Sequence, residues 1–315
     1  MDDAGTGAAP PGSDAGRARV RFGLVGTGFW AQEVHAPGVA GHPDTELAGV
    51  WGRDPAKAAV IAERHGARAH EDLDELFASV DAVLFSVPPD VQARAAVRAA
   101  AAGCHLLLEK PLALDLAAAR AVQQAVHDAG VASVVFFTER FAPVREAWLQ
   151  ERAGTGCLGG TATWLASLRS PGNPFAGSTW RHERGALWDV GPHALSVLLP
   201  VLGPVADVAG ARGAGDLVHL VLRHESGATS TAALSLTMPP EAIRSGLAFY
   251  DEHGWHERPD GDGAGDGQGA LGHHRRAVSD LVACIREGRT DHRCDVSFGT
   301  EVVAVLERAQ SVLDR

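Results

Sequence analysis

Paired cysteines are missing from this chain: Cys104, Cys157, Cys284 and Cys294 are its 4 cysteines in 315 residues, far apart and with no C-x-x-C spacing. That argues against a disulfide framework and against the usual zinc or dithiol motifs, and it predicts free thiols in a reducing compartment. A basic excess is missing too. Lys and Arg number 28 against 39 Asp and Glu, a net charge of -11, so a surface that tracks a phosphate backbone is not expected. No run of about 18 apolar residues occurs, and residues 1–18, rich in Ala, Gly, Asp and Pro, hold no apolar signal-peptide core. These absences predict a soluble, cytoplasmic protein with a disordered tail over 1–18, and neither nucleic acid nor membrane as partner. Metal-ligand spacing is also lacking: His253/His256, His273/His274 and His292/Cys294 read as surface groups, and no metal site is expected.

What is present is enough apolar residue, 45%, for two cores in 315 residues. The first half is organised around Leu106-Leu107-Leu108-Glu109-Lys110-Pro111. Three uninterrupted leucines read as a fully buried parallel strand, which delivers Glu109 and Lys110 to the carboxyl edge of its sheet, where ligands of open α/β sheets bind. Pro111 ends the strand, since it lacks an amide hydrogen and fixes its own φ.

Upstream, the apolar Val20–Val25 runs into Gly26-Thr27-Gly28-Phe29-Trp30-Ala31, the GxGxxA form of a dinucleotide fingerprint. Gly26 allows the turn, Gly28 lets the backbone approach a pyrophosphate, Ala31 keeps the helix close, and the helix N-terminus faces the phosphates. About 20 residues further on, after a second strand over Glu46–Trp51, an acid is expected to hold the NAD ribose; Gly52 and Arg53 stand there instead. A small residue and a guanidinium suit a 2′-phosphate, so NADP(H) is favoured, with NAD(H) as the alternative. Asp54 reads as a helix N-cap before Pro55. Further strands over Ala82–Val87 and Val131–Phe137, and helices capped by Asp90 and Asp115, complete a doubly wound Rossmann domain over residues 19–140. Pro88 falls beside the cofactor by position, or merely stops its strand.

Over residues 141–315 the pattern changes to an α+β domain with a largely antiparallel open sheet. Strands are expected at Thr161–Leu168, Leu217–Arg223, Thr229–Met238 and Leu247–Tyr250. In the third, Ala232, Leu234, Leu236 and Met238 share one face, and Thr231, Ala233, Ser235 and Thr237 the other. The second face is either solvent-exposed or a surface on which another subunit packs, giving a homo-oligomer. Asp260–Gly269 reads as a mobile loop, because Leu271 stands where a calcium loop needs a bidentate glutamate. In Gly185–Leu195, Asp189 is expected to cap a helix with Pro192 in its first turn and Leu195, Leu198, Leu199 and Leu202 as its apolar stripe. Asp189 and His193 are four apart, so the carboxylate can orient the imidazole; the plainer alternative is a cap and an incidental histidine.

Several stretches together resemble the Gfo/Idh/MocA oxidoreductases: Gly26 to Ala31, Val87-Pro88-Pro89-Asp90, Ala102 to Leu112 with its Glu-Lys-Pro, Glu139 to Pro143, Trp180-Arg181, and Gly185 to His193 with its Asp-x-Gly-x-His. The likeness runs from about residue 20 to the C-terminus. It implies hydride exchange between a nicotinamide and a hydroxyl- or carbonyl-bearing carbon of a sugar, cyclitol or related polyol. It makes Lys110, Asp189 and His193 the catalytic group and adds Phe29, Trp30, Glu109, Lys110, Trp180 and Arg181 to the cofactor-binding set of Gly26, Gly28, Gly52, Arg53 and Pro88. Two departures stand out: Ser196 replaces an aspartate common in the family, and the glycine run before the second motif is reduced to Gly185-Ala186. A non-catalytic dinucleotide sensor of the same fold and a reductase of a non-sugar substrate are the competing functions.

Overall fold

Six short strands form the first sheet of the computed structural model, which describes residues 18–259 and 269–315. Residues 1–17 and 260–268, which carry most of the expected tail and the Gly/Asp tract, lie outside the described residues. The strands are β1 (Val20–Val25), β2 (Thr45–Trp51), β3 (Arg68–His70), β4 (Ala82–Phe85), β5 (His105–Leu108) and β6 (Ser133–Val135). All pair in parallel, in the order β3-β2-β1-β4-β5-β6. Every residue of β4, and Leu106 to Leu108 in β5, is buried, as a sheet covered on both faces requires. The order reverses between β1 and β4, and a crevice opens there beyond the carboxyl ends of the strands.

The flanking helices are α1 (Ala36–Ala40), preceded by a π-helical turn over Ala31–His35, α2 (Pro55–His65), α3 (Leu73–Ala78), α4 (Pro89–Ala101) and α5 (Leu116–Ala129). Asp54 caps α2 by accepting from the amides of Ala56 and Lys57, and Asp115 caps α5 by accepting from Ala118. Asp90 does not cap α4. That helix starts at Pro89, whose ring nitrogen has no hydrogen to satisfy, and Asp90 pairs instead with Arg94 at 3.1 Å.

The second sheet contains β7 (Gly159–Leu165), β8 (Val205–Arg212), β9 (Val218–His224), β10 (Thr229–Ser235), β11 (Arg244–Asp251) and β12 (Gly254–Glu257), in the order β12-β11-β7-β10-β9-β8. Its pairs are antiparallel except β7 with β10. The remaining helices are α6 (Pro143–Arg152), α7 (Thr179–Asp189), α8 (Gly191–Leu202), α9 (Gly269–Glu287) and α10 (Val296–Leu313). The α7–α8 pair, Thr179–Leu202, contains an 18-residue apolar window of mean hydropathy 1.3 that is mostly buried inside the protein. Helix α8 packs on β7 and β10, whereas α9 returns to α1, β5 and β6 of the first sheet. That return buries His273 and His274, and tight packing also encloses the His292 side chain, so these are not the surface groups the spacing suggested.

Across the uncovered side of the second sheet, Ala209, Val221, Thr231, Thr161 and Ala248 form one row. Ser235, expected on that side, is fully buried, and its hydroxyl donates to Asp216 Oδ1 at 2.7 Å.

Candidate functional site

The turn after β1 is built for close approach. Gly26 has φ 129°, and a Cβ there would lie 2.2 Å from the Ser86 carbonyl oxygen, so no other residue fits. A Cβ on Gly28 would meet nothing within 4 Å. Its backbone lines a cavity of about 900 Å³ that runs past Phe29, Trp30, Arg53 and Pro88 to Glu109, Lys110, Trp180, Arg181, Asp189 and His193. A tight glycine turn beside a bare Gly28 backbone, opening into a cleft of this size, fits a dinucleotide. Gly26 and Gly52 shape the turn without lining the cavity: a Cβ on Gly52 would lie 2.5 Å from Thr27 Cγ2.

At the other end, Lys110 Nζ donates to Asp189 Oδ1 at 2.9 Å and to the Asp189 carbonyl at 2.7 Å, while Arg181 Nε donates to Asp189 Oδ2 at 3.1 Å. The Lys110 and Asp189 side chains are 10% and 9% exposed. Burial alone would raise the Asp189 carboxyl, but the two cations outweigh it and bring it down to about 2. Asp189 is the last residue of α7 and not the cap of α8, a position taken by Val190. Gly185, with φ 66° and ψ -165°, kinks α7 one turn earlier, in a backbone region that favours glycine.

His193 is half-buried on the same cavity wall, and its ring stacks with Trp164 at 6.2 Å between centroids. Burial first, then the charge of Lys110, lowers its pKa to about 3 against the opposing pull of Asp189. Asp189 pulls toward the protonated ring but is outweighed, and its carboxylate oxygens are taken by Lys110 and Arg181 instead of orienting the imidazole. No hydrogen bond joins it to His193 among the described residues. Ser196 does not reach the cavity; its hydroxyl donates to the His193 carbonyl at 2.9 Å within α8.

Three contributors carry no sequence motif. Gln92 is fully buried and grips the Glu-Lys-Pro segment: its Oε1 accepts from the Glu109 amide at 2.7 Å, and its Nε2 donates to the carbonyls of Glu109, Pro111 and Leu112 at 2.7, 3.3 and 3.2 Å. Phe175 stands edge-on to Phe29 and Trp30, at 6.0 Å from each, and carries the Arg181 guanidinium 4.4 Å above its ring. His35 pairs with Glu109 at 2.9 Å.

A Rossmann crevice whose far wall carries a lysine–aspartate–arginine cluster and a neutral imidazole defines a dinucleotide-binding protein of the oxidoreductase type. Residues 20–137 match the oxidoreductase family described by its NAD-binding Rossmann fold, Gfo/Idh/MocA, and the chain belongs to that family. It is 32% identical over 197 residues to the uncharacterized oxidoreductase sll0816 of Synechocystis, covering 59% of this chain and 52% of that one. It is 30% identical over 220 residues to inositol 2-dehydrogenase of Rhizobium meliloti, covering 66% of each. The chain thus spans about half to two thirds of the length of these relatives. The structure of UDP-N-acetylglucosamine 3-dehydrogenase GnnA from Acidithiobacillus ferrooxidans superposes with TM-score 0.79 at 21% identity, over 95% of this chain and 99% of that one, a likeness of fold.

Proposed function

We propose that the protein is an NAD(P)-dependent oxidoreductase that exchanges hydride with a hydroxyl- or carbonyl-bearing carbon of a sugar, cyclitol or related polyol. The observation that carries this reading is the convergence of Lys110 Nζ, held on Asp189, and the neutral His193 ring on the cavity that Gly28 also lines. The nicotinamide, when bound, supplies or accepts the hydride. In oxidation His193 takes the hydroxyl proton, and Lys110 donates a hydrogen bond to the oxygen as it gains alkoxide character. Asp189 holds Lys110 and Arg181 in place through charge-assisted hydrogen bonds. Nicotinamide absorbance followed across sugars, inositols and nucleotide sugars tests the reading. Turnover of at least one neutral polyol is expected; tight cofactor binding with no turnover would instead make the protein a sensor.

The cofactor in this proposal is NADP(H), with NAD(H) second. Arg53 lines the cavity and has no ion-pair partner among the described residues, whereas Asp54 is occupied as the α2 cap. Arg53→Ala is expected to weaken NADPH binding by about tenfold or more, the worth of one charge-assisted phosphate contact. NADH binding should stay nearly unchanged. Equal loss for both cofactors would refute the assignment. Adding Gly52→Asp to favour NADH requires Thr27 to rotate, since a Cβ at 52 meets its methyl group.

We also place a homo-oligomer contact on the uncovered side of the second sheet, where Val221 is 50% exposed in the Ala209–Ala248 row and small residues leave it flat. Val221→Glu is expected to reduce the particle mass seen by light scattering toward that of one chain; an unchanged mass would remove the contact. A cytoplasmic location belongs to the same proposal, supported by four buried, unpaired cysteines.

A further inference from the structure

Lys110 sits on a segment that is held from two sides. Gln92 takes the main chain, as described above. The Glu109 side chain reaches the opposite way, where Oε2 accepts from the Lys110 amide at 3.2 Å and Oε1 lies 2.9 Å from His35 Nε2. His35 is fully buried at the end of the π-helical turn that begins at Ala31. Its ring stacks on His274 at 4.5 Å, with 26° between the planes, and Phe136 stands edge-on to both, at 6.3 and 5.3 Å. Trp30, on the cavity wall, is edge-on to His35 at 6.2 Å. His274, also fully buried, comes from α9 and presses on α1 so closely that a Cβ on Gly38 would lie 2.2 Å from its Nδ1.

This packing leaves His35 little choice. Neither nitrogen of His35 or of His274 makes a hydrogen bond among the described residues, and the approach of His35 Nε2 to Glu109 Oε1, at ion-pair distance without hydrogen-bond geometry, is the polar contact that His35 has. A buried polar group with no partner is costly, so this one contact matters to both groups, and the rings of His274 and Phe136 stand beside the imidazole. The carboxylate is correspondingly fixed, because it would otherwise swing into the cavity it lines.

We propose that His35, braced by His274, is a positioning residue for Lys110: it holds Glu109, Glu109 holds the Lys110 amide, and the ammonium is thereby kept on Asp189. The kinetic part of this inference rests on the hydride-transfer reading above.

Two replacements separate the polar contact with Glu109 from packing. His35→Phe keeps a ring without a donor, and His35→Gln keeps an amide donor near the position of Nε2. His35→Phe is expected to lower kcat by about 10- to 100-fold, the order of the cost of leaving a buried carboxylate without its polar partner. The KM for polyol and the Kd for NADPH should move much less. His35→Gln should recover most of the loss. If the two variants have similar melting temperatures and Gln is no better than Phe, or if Phe keeps full kcat, the proposal falls. A second readout needs no turnover: in the full chain labelled with ¹⁵N-histidine, a protected Nε2–H resonance is expected that is absent in His35→Phe and moves in Glu109→Gln. Histidine resonances unmoved by Glu109→Gln would overturn the proposal. Should the unaltered protein turn over no polyol, the hydride-transfer reading fails by itself and the resonance test decides this inference alone.

Discussion

Lys110→Met is expected to reduce polyol turnover by about 10²- to 10³-fold, the range lost when a donor to a developing oxyanion is removed. Met keeps the length and apolar stem of lysine while deleting the charge, so the change isolates the ammonium. Its loss has a structural side as well. The Asp189 carbonyl, a partner of Nζ at 2.7 Å, loses that hydrogen bond, and the carboxylate retains Arg181 as its ion-pair partner. Breaking a buried pair from one side typically costs about 3–5 kcal/mol, so single-turnover rates should be measured well below the variant's melting temperature. The pH dependence of stability gives a separate check. Asp189, lowered from 3.8 to about 2, contributes stability that is present above the first value and lost as pH falls through the second. The shift corresponds to roughly 2 kcal/mol. With Lys110 gone the carboxyl should titrate higher, and that loss should begin at higher pH. A Lys110→Met enzyme with unchanged kcat would remove the ammonium from the chemistry.

Much of the first half was legible because its signals are local. The cap at Asp54, the turn at Gly26 and the leucine strand before Lys110 depend on neighbours within a few residues, and each appears where the pattern put it. Asp189 was misread for the opposite reason. Its position before an apolar stripe suits a cap, yet two cations distant in sequence or folded back over it claim the carboxylate first. Strand β8 escaped notice because only Val205 and Val208 are buried in it, which leaves no period-two pattern. Gln92 and His35 stand on helical segments of the nucleotide-binding half with nothing unusual around them. Their importance comes from what the fold brings beside them, namely the Glu109 main chain and carboxylate. The neutral state of His193 was equally hidden, since it reflects burial and the approach of Lys110 across 83 positions of sequence, 193 minus 110.

That neutral state makes the second large effect specific in its direction. His193→Ala should lower the rate of polyol oxidation by about 10²- to 10⁴-fold, the range for a positioned general base, while NADP(H) affinity is retained. Because the ring stays unprotonated down to about pH 3, oxidation by the unaltered protein should show no acid limb from His193 across the neutral range. Carbonyl reduction behaves differently, since the ring must carry a proton before it can donate one. Reduction should therefore accelerate as pH falls, roughly in proportion to proton concentration, and His193→Ala should abolish that slope. Stability follows with the same sign. Below the ordinary value of 6.5 the unfolded chain takes up a proton that the folded ring refuses, so this residue makes folding less favourable as pH falls from 6.5 toward 3. In His193→Ala that component of the acid decline should disappear, which thermal melts at a series of pH values would measure. An acid limb near 6.5 in the oxidation profile, absent from the alanine variant, would show instead that the imidazole ionises normally and that Lys110 and burial do not govern it.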